Sequence, residues 1–195
     1  MYARMWLLLL FILLIVGCSQ QLDVPDISPG DVVDSVMREY DTNKDGALDA
    51  KELARCPGLQ SALARSKTGK DRFTRDQLQE YFDAYKSSGI GLQVVHCRVT
   101  LDKAPLVGAT VVAEPENFMG RNIKSARGVT NEKGQAQLTI DGAASPGCNL
   151  GIYRVRITAP AGGRELPARY NTNSELGLEV APGTAGSTTF HLSTK

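Results

Sequence analysis

The stretch Asp41–Glu52, which reads DTNKDGALDAKE, decides the architecture of the amino-terminal half of this chain. It places oxygen-bearing side chains at its first, third, fifth, ninth and twelfth positions, which are Asp41, Asn43, Asp45, Asp49 and Glu52. The backbone carbonyl of Ala47 adds an oxygen at the seventh position. A hard divalent cation takes about six to eight oxygens, and a twelve-residue loop can supply them from one short segment. We therefore expect these six residues to bind Ca2+.

The same twelve residues resemble the calcium-binding loop of the EF-hand family. Gly46 stands at the sixth position, where the loop turns sharply with a positive φ that glycine adopts at little cost. Leu48 stands at the eighth position, where the resemblance implies an apolar contact with a paired loop. The alternative is a solvated turn between two helices, because turns commonly use Asp, Asn and Gly. Agreement at every specified position favours calcium binding.

The first residues of the chain predict an exported, lipid-anchored protein. The apolar run Met5–Val16 is shorter than the roughly 20 residues that span a bilayer, so residues 1–17 are expected to be a signal peptide. Gly17 followed by Cys18 resembles the lipobox of bacterial lipoproteins, which implies cleavage after the glycine and acylation of Cys18. An ordinary signal peptide or a signal anchor is the alternative. Ser19 is not the aspartate associated with inner-membrane retention, so the resemblance implies the outer membrane.

The charge pattern divides the rest of the chain into two parts. Residues 21–89 hold 10 basic and 13 acidic side chains, whereas residues 90–195 hold 11 basic and 8 acidic ones. The formal net charge of the full 195 residues is +1. A nucleic-acid partner normally requires a concentrated basic face, which this balance argues against. Residues 18–27 contain Pro25 and no periodic apolar face, and we expect them to form an acylated tether.

Residues 28–86 are expected to form two helix-loop-helix units. Ser28 and Pro29 mark the start of one helix, and Thr74 with Gln77 three residues later predicts a capping box at another. Apolar side chains recur every three or four residues before the first loop, at Val33, Val36, Met37 and Tyr40. The arrangement is similar to the EF-hand domains of many bacterial envelope proteins.

The second loop of this pair is expected not to bind calcium. When Phe73 is aligned with Leu48, the ligand positions of the second loop are Ser66, Thr68, Lys70 and Gln77. Lys70 places an ammonium where the cation would sit, and the carboxylates are missing. The unit still has a structural purpose, because a lone helix-loop-helix of about 30 residues buries too little apolar surface to stay folded.

The period of the sequence changes after a small-residue hinge at residues 87–91. Seven strands are expected, at 92–101, 109–114, 125–130, 135–140, 153–159, 176–180 and 188–192. The turn Asn131–Gly134 predicts a hairpin between the third and the fourth of them. Short strands separated by Gly and Pro favour a seven-stranded antiparallel β-sandwich over residues 92–195, and so an α+β multidomain chain.

Three segments of this second part carry a further resemblance. They read VTLDKAPLVGATV from Val99, GVTNEKGQA from Gly128 and GIYRVRIT from Gly151. They resemble the carboxypeptidase regulatory-like, transthyretin-like module of bacterial surface lipoproteins, including those of planctomycetes. Its motifs encode turns and strand edges, and such modules generally act as binding domains or as spacers between domains. The resemblance therefore implies that the chain is not an enzyme.

The predicted sandwich has two enzymatic alternatives. Some sandwiches hold ferric iron with two tyrosines and two histidines, and this part contains Tyr153, Tyr170, His96 and His191. The close histidine pairing of those iron sites is missing from the sequence, and ligand types without spacing rarely specify a metal. The terminal motif of the transthyretin-like hydrolases is also missing. We expect the histidines on strand faces and the tyrosines in packing roles.

Three cysteines remain beyond Cys18. An exported chain lies in a compartment that permits disulfides, so pairing is plausible. Cys97 and Cys148 both belong to the predicted sandwich and are expected to form a bridge, although sequence alone does not fix connectivity. Cys56 would then be free or buried as a small apolar residue.

Together these patterns predict a non-enzymatic, calcium-binding lipoprotein of the cell envelope. Its membrane contact would be the lipid anchor, and its calcium would be structural. In the rival hypothesis, the sandwich recognises an envelope protein or a polysaccharide, and the EF-hand pair is a stiffened spacer. The sequence shows no aromatic and polar cluster that would name such a ligand.

Overall fold

The structure is a computed structural model that describes residues 24–66, 71–183 and 187–195. Its described part combines α-helices with several β-sheets, so the expected α+β class is confirmed. The expected signal peptide at 1–17, the acylated Cys18 and most of the tether at 18–27 lie outside the described residues.

The amino-terminal half of the described chain contains four α-helices. They are α1 Pro29–Tyr40, α2 Ala50–Leu53, α3 Pro57–Arg65 and α4 Arg75–Ser87. Pro29 opens α1, where the missing amide hydrogen costs nothing. The capping box at α4 is confirmed, because the Gln77 amide donates to Thr74 Oγ1 at 3.3 Å and the Thr74 amide donates to Gln77 Oε1 at 2.9 Å.

Two short strands join the helical segments. They are β1 Ala47–Leu48 and β2 Phe73–Thr74, and they pair antiparallel. Leu48 lies opposite Phe73, and both side chains are buried. The alignment of these two residues expected from the sequence is therefore confirmed.

Nine strands follow in the described residues after α4, two more than expected. They are β3 His96–Leu101, β4 Ala104–Pro105, β5 Thr110–Pro115, β6 Ala126–Val129, β7 Gln135–Gln137, β8 Thr139–Ile140, β9 Gly151–Thr158, β10 Leu176–Val180 and β11 Ser187–Leu192. One extra strand is β4. The other arises because the expected strand at 135–140 is divided at Leu138 into β7 and β8.

These strands form two sheets. The first has the order β10-β9-β5-β6-β8, and all its neighbours are antiparallel. In the second, β3 pairs with β4, β7 and β11. The expectation of a wholly antiparallel arrangement was wrong for β11, which lies parallel to β3. The reason is that β11 is reached from β10 of the other sheet, and only a hairpin connection imposes antiparallel pairing.

The segment after the Asn131–Gly134 turn connects the two sheets. The turn itself is present, since the Gly134 amide donates to the Asn131 carbonyl at 2.8 Å. Beyond it, β7 pairs with β3, whereas β8 returns to pair with β6. The predicted hairpin is thus formed by β6 and β8, and β7 belongs to the opposite sheet.

The helices and the five-stranded sheet share one apolar core. Helix α3 packs against β10, and buried residues of the helical half and of both sheets belong to the same cluster. The backbones approach closely where Gly58 faces Gly177, because a Cβ added at Gly177 would collide with the backbone of Pro57 and Gly58. The expected hinge at 87–91 therefore connects two halves that are packed together.

None of the helices within residues 24–66, 71–183 and 187–195 has the length and apolar character needed to cross a membrane.

Candidate metal centre

The candidate loop lies between the end of α1 and the start of α2. The Asp41 amide closes α1 by donating to the Met37 carbonyl at 3.1 Å. The loop then turns through Lys44 at φ +60° and Gly46 at φ +79°. The glycine thus occupies the conformation expected for the sixth position, which most other residues adopt only with strain.

The first three expected ligands turn toward the backbone of their own loop. The two carboxylate oxygens of Asp41 accept hydrogen bonds from the amides of Asp45 at 3.2 Å and Gly46 at 3.1 Å. Asn43 Oδ1 accepts from the Asp45 amide at 2.9 Å. Asp45 Oδ1 accepts from the Ala47 amide at 2.9 Å. These side-chain oxygens therefore accept hydrogen bonds from the amides of residues 45–47 of the same loop.

Glu52, the last expected ligand, reaches back to the start of the loop. Its Oε1 accepts from the Thr42 amide at 2.8 Å, from Thr42 Oγ1 at 3.0 Å and from the Asn43 amide at 3.3 Å. Its Oε2 accepts from the Asp49 amide at 3.1 Å. Only 6% of Glu52 is exposed. The two ends of the loop are thus joined by one carboxylate.

Asp49 has a different task in the structure. Its Oδ1 caps α2 by accepting from the amides of Lys51 at 2.8 Å and Glu52 at 3.0 Å. With the Glu52 side chain this forms a reciprocal capping box. The second loop also ends in a capping box, which Thr74 and Gln77 form. The twelfth position is thus a capping residue in both loops.

The carboxylates that close the loop are held in their charged form. A hydrogen bond from the Glu52 amide lowers the pKa of Asp49; desolvation opposes this, and a hydrogen bond from the Lys51 amide adds to the lowering. Burial raises the pKa of Glu52, but hydrogen bonds from the amides of Asp49, Asn43 and Thr42 outweigh it and lower the pKa overall. Anionic carboxylates are the form that a hard cation requires.

The side chains of the loop do not converge on a single point as the ligands of a metal ion would. In the described part of the chain, no group of three or more His, Cys, Asp or Glu side chains converges for metal binding. The acidic oxygens of the loop instead accept hydrogen bonds from amides, and the Ala47 residue lies in β1 opposite Thr74. The donor types, four carboxylates with an amide and a peptide oxygen, nevertheless suit Ca2+ better than a soft metal.

One basic residue near the loop was not identified from the sequence. Arg72 Nη1 lies 3.9 Å from Asp45 Oδ2, and both side chains are about half exposed. A nearby guanidinium lowers the local negative potential that attracts a cation, although solvent screens the effect. Of the expected second-loop positions, Gln77 caps α4, while Thr68 and Lys70 lie outside the described residues.

A buried polar cluster next to the loop was also missed. Glu116 Oε1 lies 3.0 Å from Arg154 Nη2, and the Glu116 side chain is 10% exposed. Tyr40 at the end of α1 packs edge-on against Phe118 with 6.0 Å between ring centroids. Burial, followed by the nearby Glu116 carboxylate, raises the pKa of Cys56 to about 12. No local pattern could reveal this cluster, because its members are far apart in sequence.

The expected bridge between Cys97 and Cys148 is not formed in the structure. Both residues, and Cys56, are buried free thiols. Cys97 lies opposite Ala136, whereas Cys148 lies opposite Gln93, four residues earlier in the chain.

Three of the four side chains in the iron-site alternative have hydrogen-bond partners of their own in the described residues. His191 Nδ1 lies 3.0 Å from Thr100 Oγ1. The Tyr153 hydroxyl donates to the Asn149 carbonyl at 2.8 Å, and the Tyr170 hydroxyl accepts from the Ser193 amide at 3.0 Å. His96 lies opposite Ser187 in the register of β3 and β11. The four side chains therefore do not share one site.

Comparison with known proteins gives little further information. No protein-family model and no curated protein matches the chain. The crystal structure of a 9R-lipoxygenase from Cyanothece PCC8801 aligns with 85% of this chain and 23% of its own, at 14% identity and a TM-score of 0.26. The chain thus spans less than a quarter of that lipoxygenase, and so low a score supports no conclusion about fold or function.

Proposed function

We propose that the chain binds one calcium ion through the loop Asp41–Glu52 and works as a non-enzymatic lipoprotein of the cell envelope. The observation that carries this proposal is the loop geometry. Gly46 has the positive φ of the sixth position, and Glu52 returns from the twelfth position to the amides of Thr42 and Asn43. An ordinary solvated turn has no need for a carboxylate that closes its two ends.

The helical half is best interpreted as an EF-hand pair with one competent loop. The pairing of β1 with β2 supports this, because Leu48 lies opposite Phe73, the residue at the aligned position of the second loop. The matching capping boxes at α2 and α4 support it as well. The two sheets that follow are best interpreted as a transthyretin-like sandwich, in which β7 and β8 divide one strand between the layers.

The residues that would hold the ion are Asp41, Asn43, Asp45 and Glu52 through side-chain oxygens and Ala47 through its carbonyl. Asp49 would act directly or through a water, while it continues to cap α2. Binding would exchange amide hydrogen bonds for cation contacts, so it would fix a loop that is already folded. We therefore propose a structural role. At a calcium concentration one hundred times the dissociation constant, binding would stabilise the fold by about 2.7 kcal/mol.

Isothermal titration of the full chain in detergent with calcium and with magnesium tests this proposal. We expect one calcium ion per chain. The variant Glu52→Gln keeps an oxygen for the amides of Thr42 and Asn43 but lacks the second charged oxygen, and it should lose binding. The matched control Asp76→Asn removes an acid from the first turn of α4 and should bind normally. The lack of heat or of a stability change at millimolar calcium would refute the proposal.

The envelope location is a separate part of the proposal. It rests on the resemblance of Gly17–Cys18 to a lipobox. Expression in a bacterium with a labelled fatty acid should label the wild-type chain and leave Cys18→Ser unlabelled. Membrane fractions would then distinguish the outer from the inner membrane. Label on the variant would rule out Cys18 as the anchor.

A further inference from the structure

The outer face of the second sheet contains a polar depression of about 580 Å³. We call it the β3–β7–β11 face. Two rows of exposed side chains cross it, and the strand register fixes both rows. The rows are Ser187, His96 and Gln137 in one and Thr189, Arg98 and Gln135 in the other. Alternate residues of a strand lie about 7 Å apart and neighbouring strands about 4.8 Å apart, so the six side chains form a compact grid.

The charge of this face is unlike that of the other sheet. No acidic residue lines the depression. On the five-stranded sheet, each arginine has a carboxylate partner: Arg127 pairs with Asp141, Arg154 with Glu116, and Arg156 with Glu114. Arg98 has no such partner anywhere in the described residues. The second sheet therefore presents one guanidinium, that of Arg98, without a carboxylate partner in the described residues.

The polar groups around Arg98 are also available to a ligand. Within residues 24–66, 71–183 and 187–195, the side chains of His96, Gln135 and Gln137 have no hydrogen-bond partner in the protein. Asn131 at the edge of the depression uses its Oδ1 for the amides of Lys133 and Gln135, which leaves its amide group free to donate. Imidazole, amide and hydroxyl groups together supply donors and acceptors over the whole grid.

The composition of the face excludes several kinds of partner. Protein interfaces centre on buried aromatic and apolar anchors, and none of the large exposed apolar residues of the described chain, Val24, Val94, Val107 and Val129, lines this depression. Sites for drug-sized molecules are mostly apolar, whereas this one is polar. Single-stranded nucleic acid needs stacking aromatics and a basic groove, and here there is one arginine. An extended ligand rich in hydroxyls with a sparse negative charge fits what remains.

We propose that the β3–β7–β11 face binds an acidic polysaccharide. Arg98 forms a charge-assisted, two-bond contact with a sugar carboxylate, and the side chains of Gln135, Gln137 and His96 bond the neighbouring hydroxyls. The open shape lets a chain pass across the face without end recognition. Each contact is weak, and an anchored protein present in many copies gains avidity from several contacts with one polymer. The site does not require calcium, so it goes beyond the metal-binding function.

Binding of the full chain in detergent to immobilised polygalacturonate tests the proposal, with dextran as the neutral polymer and polyglutamate as the acidic one without sugars. The key variant is Arg98→Gln. Its matched control is Arg127→Gln, which removes an exposed arginine from the other sheet. Because the Arg98 side chain has no protein partner, its variant should unfold at the wild-type temperature, and this is measured alongside.

We expect wild-type chain to bind polygalacturonate, with affinity that falls as salt rises. Arg98→Gln should weaken binding by about tenfold or more, as the loss of a charge-assisted hydrogen bond implies, while Arg127→Gln leaves it unchanged. Lack of binding, equal binding to dextran or polyglutamate, or an equal loss in both variants would overturn the proposal. A calcium chelator should have no effect on the wild-type affinity, which separates this result from the metal-binding test.

Discussion

Arg154 of β9 donates from Nη2 to the backbone carbonyl of Arg55 at 2.9 Å. Arg55 lies just after α2, so this bond connects the sheet to the helix that Asp49 caps and that contains Glu52. The same guanidinium donates from Nη1 to the Ser174 carbonyl at 2.7 Å and forms the ion pair with Glu116. One side chain thus joins the end of the candidate loop to two parts of the sheet layer.

The first prediction concerns that ion pair. Arg154→Gln removes the cation and leaves the Glu116 carboxylate buried without compensation. Breaking a fully buried pair costs about 3–5 kcal/mol, and because Arg154 is 28% exposed we expect about 2–3 kcal/mol here. Urea unfolding followed by circular dichroism measures the loss. The double variant Arg154→Gln with Glu116→Gln should recover part of it, because no buried charge then remains. A double variant less stable than either single one would contradict this account.

The second prediction uses the pKa of Glu116. Burial raises this pKa above its ordinary value of 4.5, and Arg154 opposes the shift only in part. The folded state therefore holds its proton more tightly than the unfolded state, and ionisation costs stability as pH rises above about 4.5. In Glu116→Gln that cost is absent. The free energy of unfolding of the variant, relative to that of wild type, should increase between about pH 4 and about pH 7. A constant difference across the range would show that Glu116 does not titrate abnormally.

The third prediction tests the contact between α3 and β10. A Cβ at Gly177 would collide with the backbone of Gly58, so Gly177→Ala must push the helix from the sheet. Overpacking of this kind costs about 1–3 kcal/mol. The control is Gly30→Ala in α1, where no atom lies within 4 Å of the added carbon. The control should be neutral or gain up to about 1 kcal/mol from helix propensity. Thermal unfolding compares them, and equal effects would exclude the close approach.

The loop and its pairing could be predicted from the sequence because their determinants are local. The oxygens and the glycine at position six lie within the twelve residues Asp41–Glu52, and the capping pair Thr74–Gln77 is four residues long. The role of Phe73 opposite Leu48 followed from the same local alignment and is confirmed. Local patterns also gave the positions of most strands.

The missed features depend on residues that are distant in sequence. Residues 135–140 are divided between two sheets because β7 pairs with β3 and β8 pairs with β6. The alternation of apolar and polar residues in a sequence predicts a strand but does not predict its partner. The parallel pairing of β11 and the cluster around Arg154 have the same origin. The packing of α3 on β10 requires the backbones of Gly58 and Gly177 to lie in close contact. A single glycine in a sequence does not indicate which residue it will contact.

The fourth prediction concerns the thiols. Burial raises the pKa of Cys56 and Cys148 to about 12 and that of Cys97 to about 11. The thiolate is the reactive form, so iodoacetamide at neutral pH should modify none of the three in the native protein. In urea without reductant all three should be alkylated, as mapped by peptide mass spectrometry. A peptide pair linked through Cys97 and Cys148 would instead establish the bridge expected from the sequence.

The fifth prediction joins the sheet to the proposed calcium site. Arg154 holds the chain just after α2, and Glu52 in α2 must be well ordered to close the loop around an ion. Arg154→Gln should loosen this end and raise the calcium dissociation constant by about fivefold, near 1 kcal/mol of coupling. Calorimetry of both proteins measures the change. Linkage also requires the reverse effect, so the variant should gain less stability from saturating calcium than wild type does.

Arg156→Gln is the matched control, because Arg156 lies on the same strand and pairs with Glu114, and it should bind calcium normally. If Arg154→Gln bound calcium as tightly as wild type, the loop would be independent of the sheet.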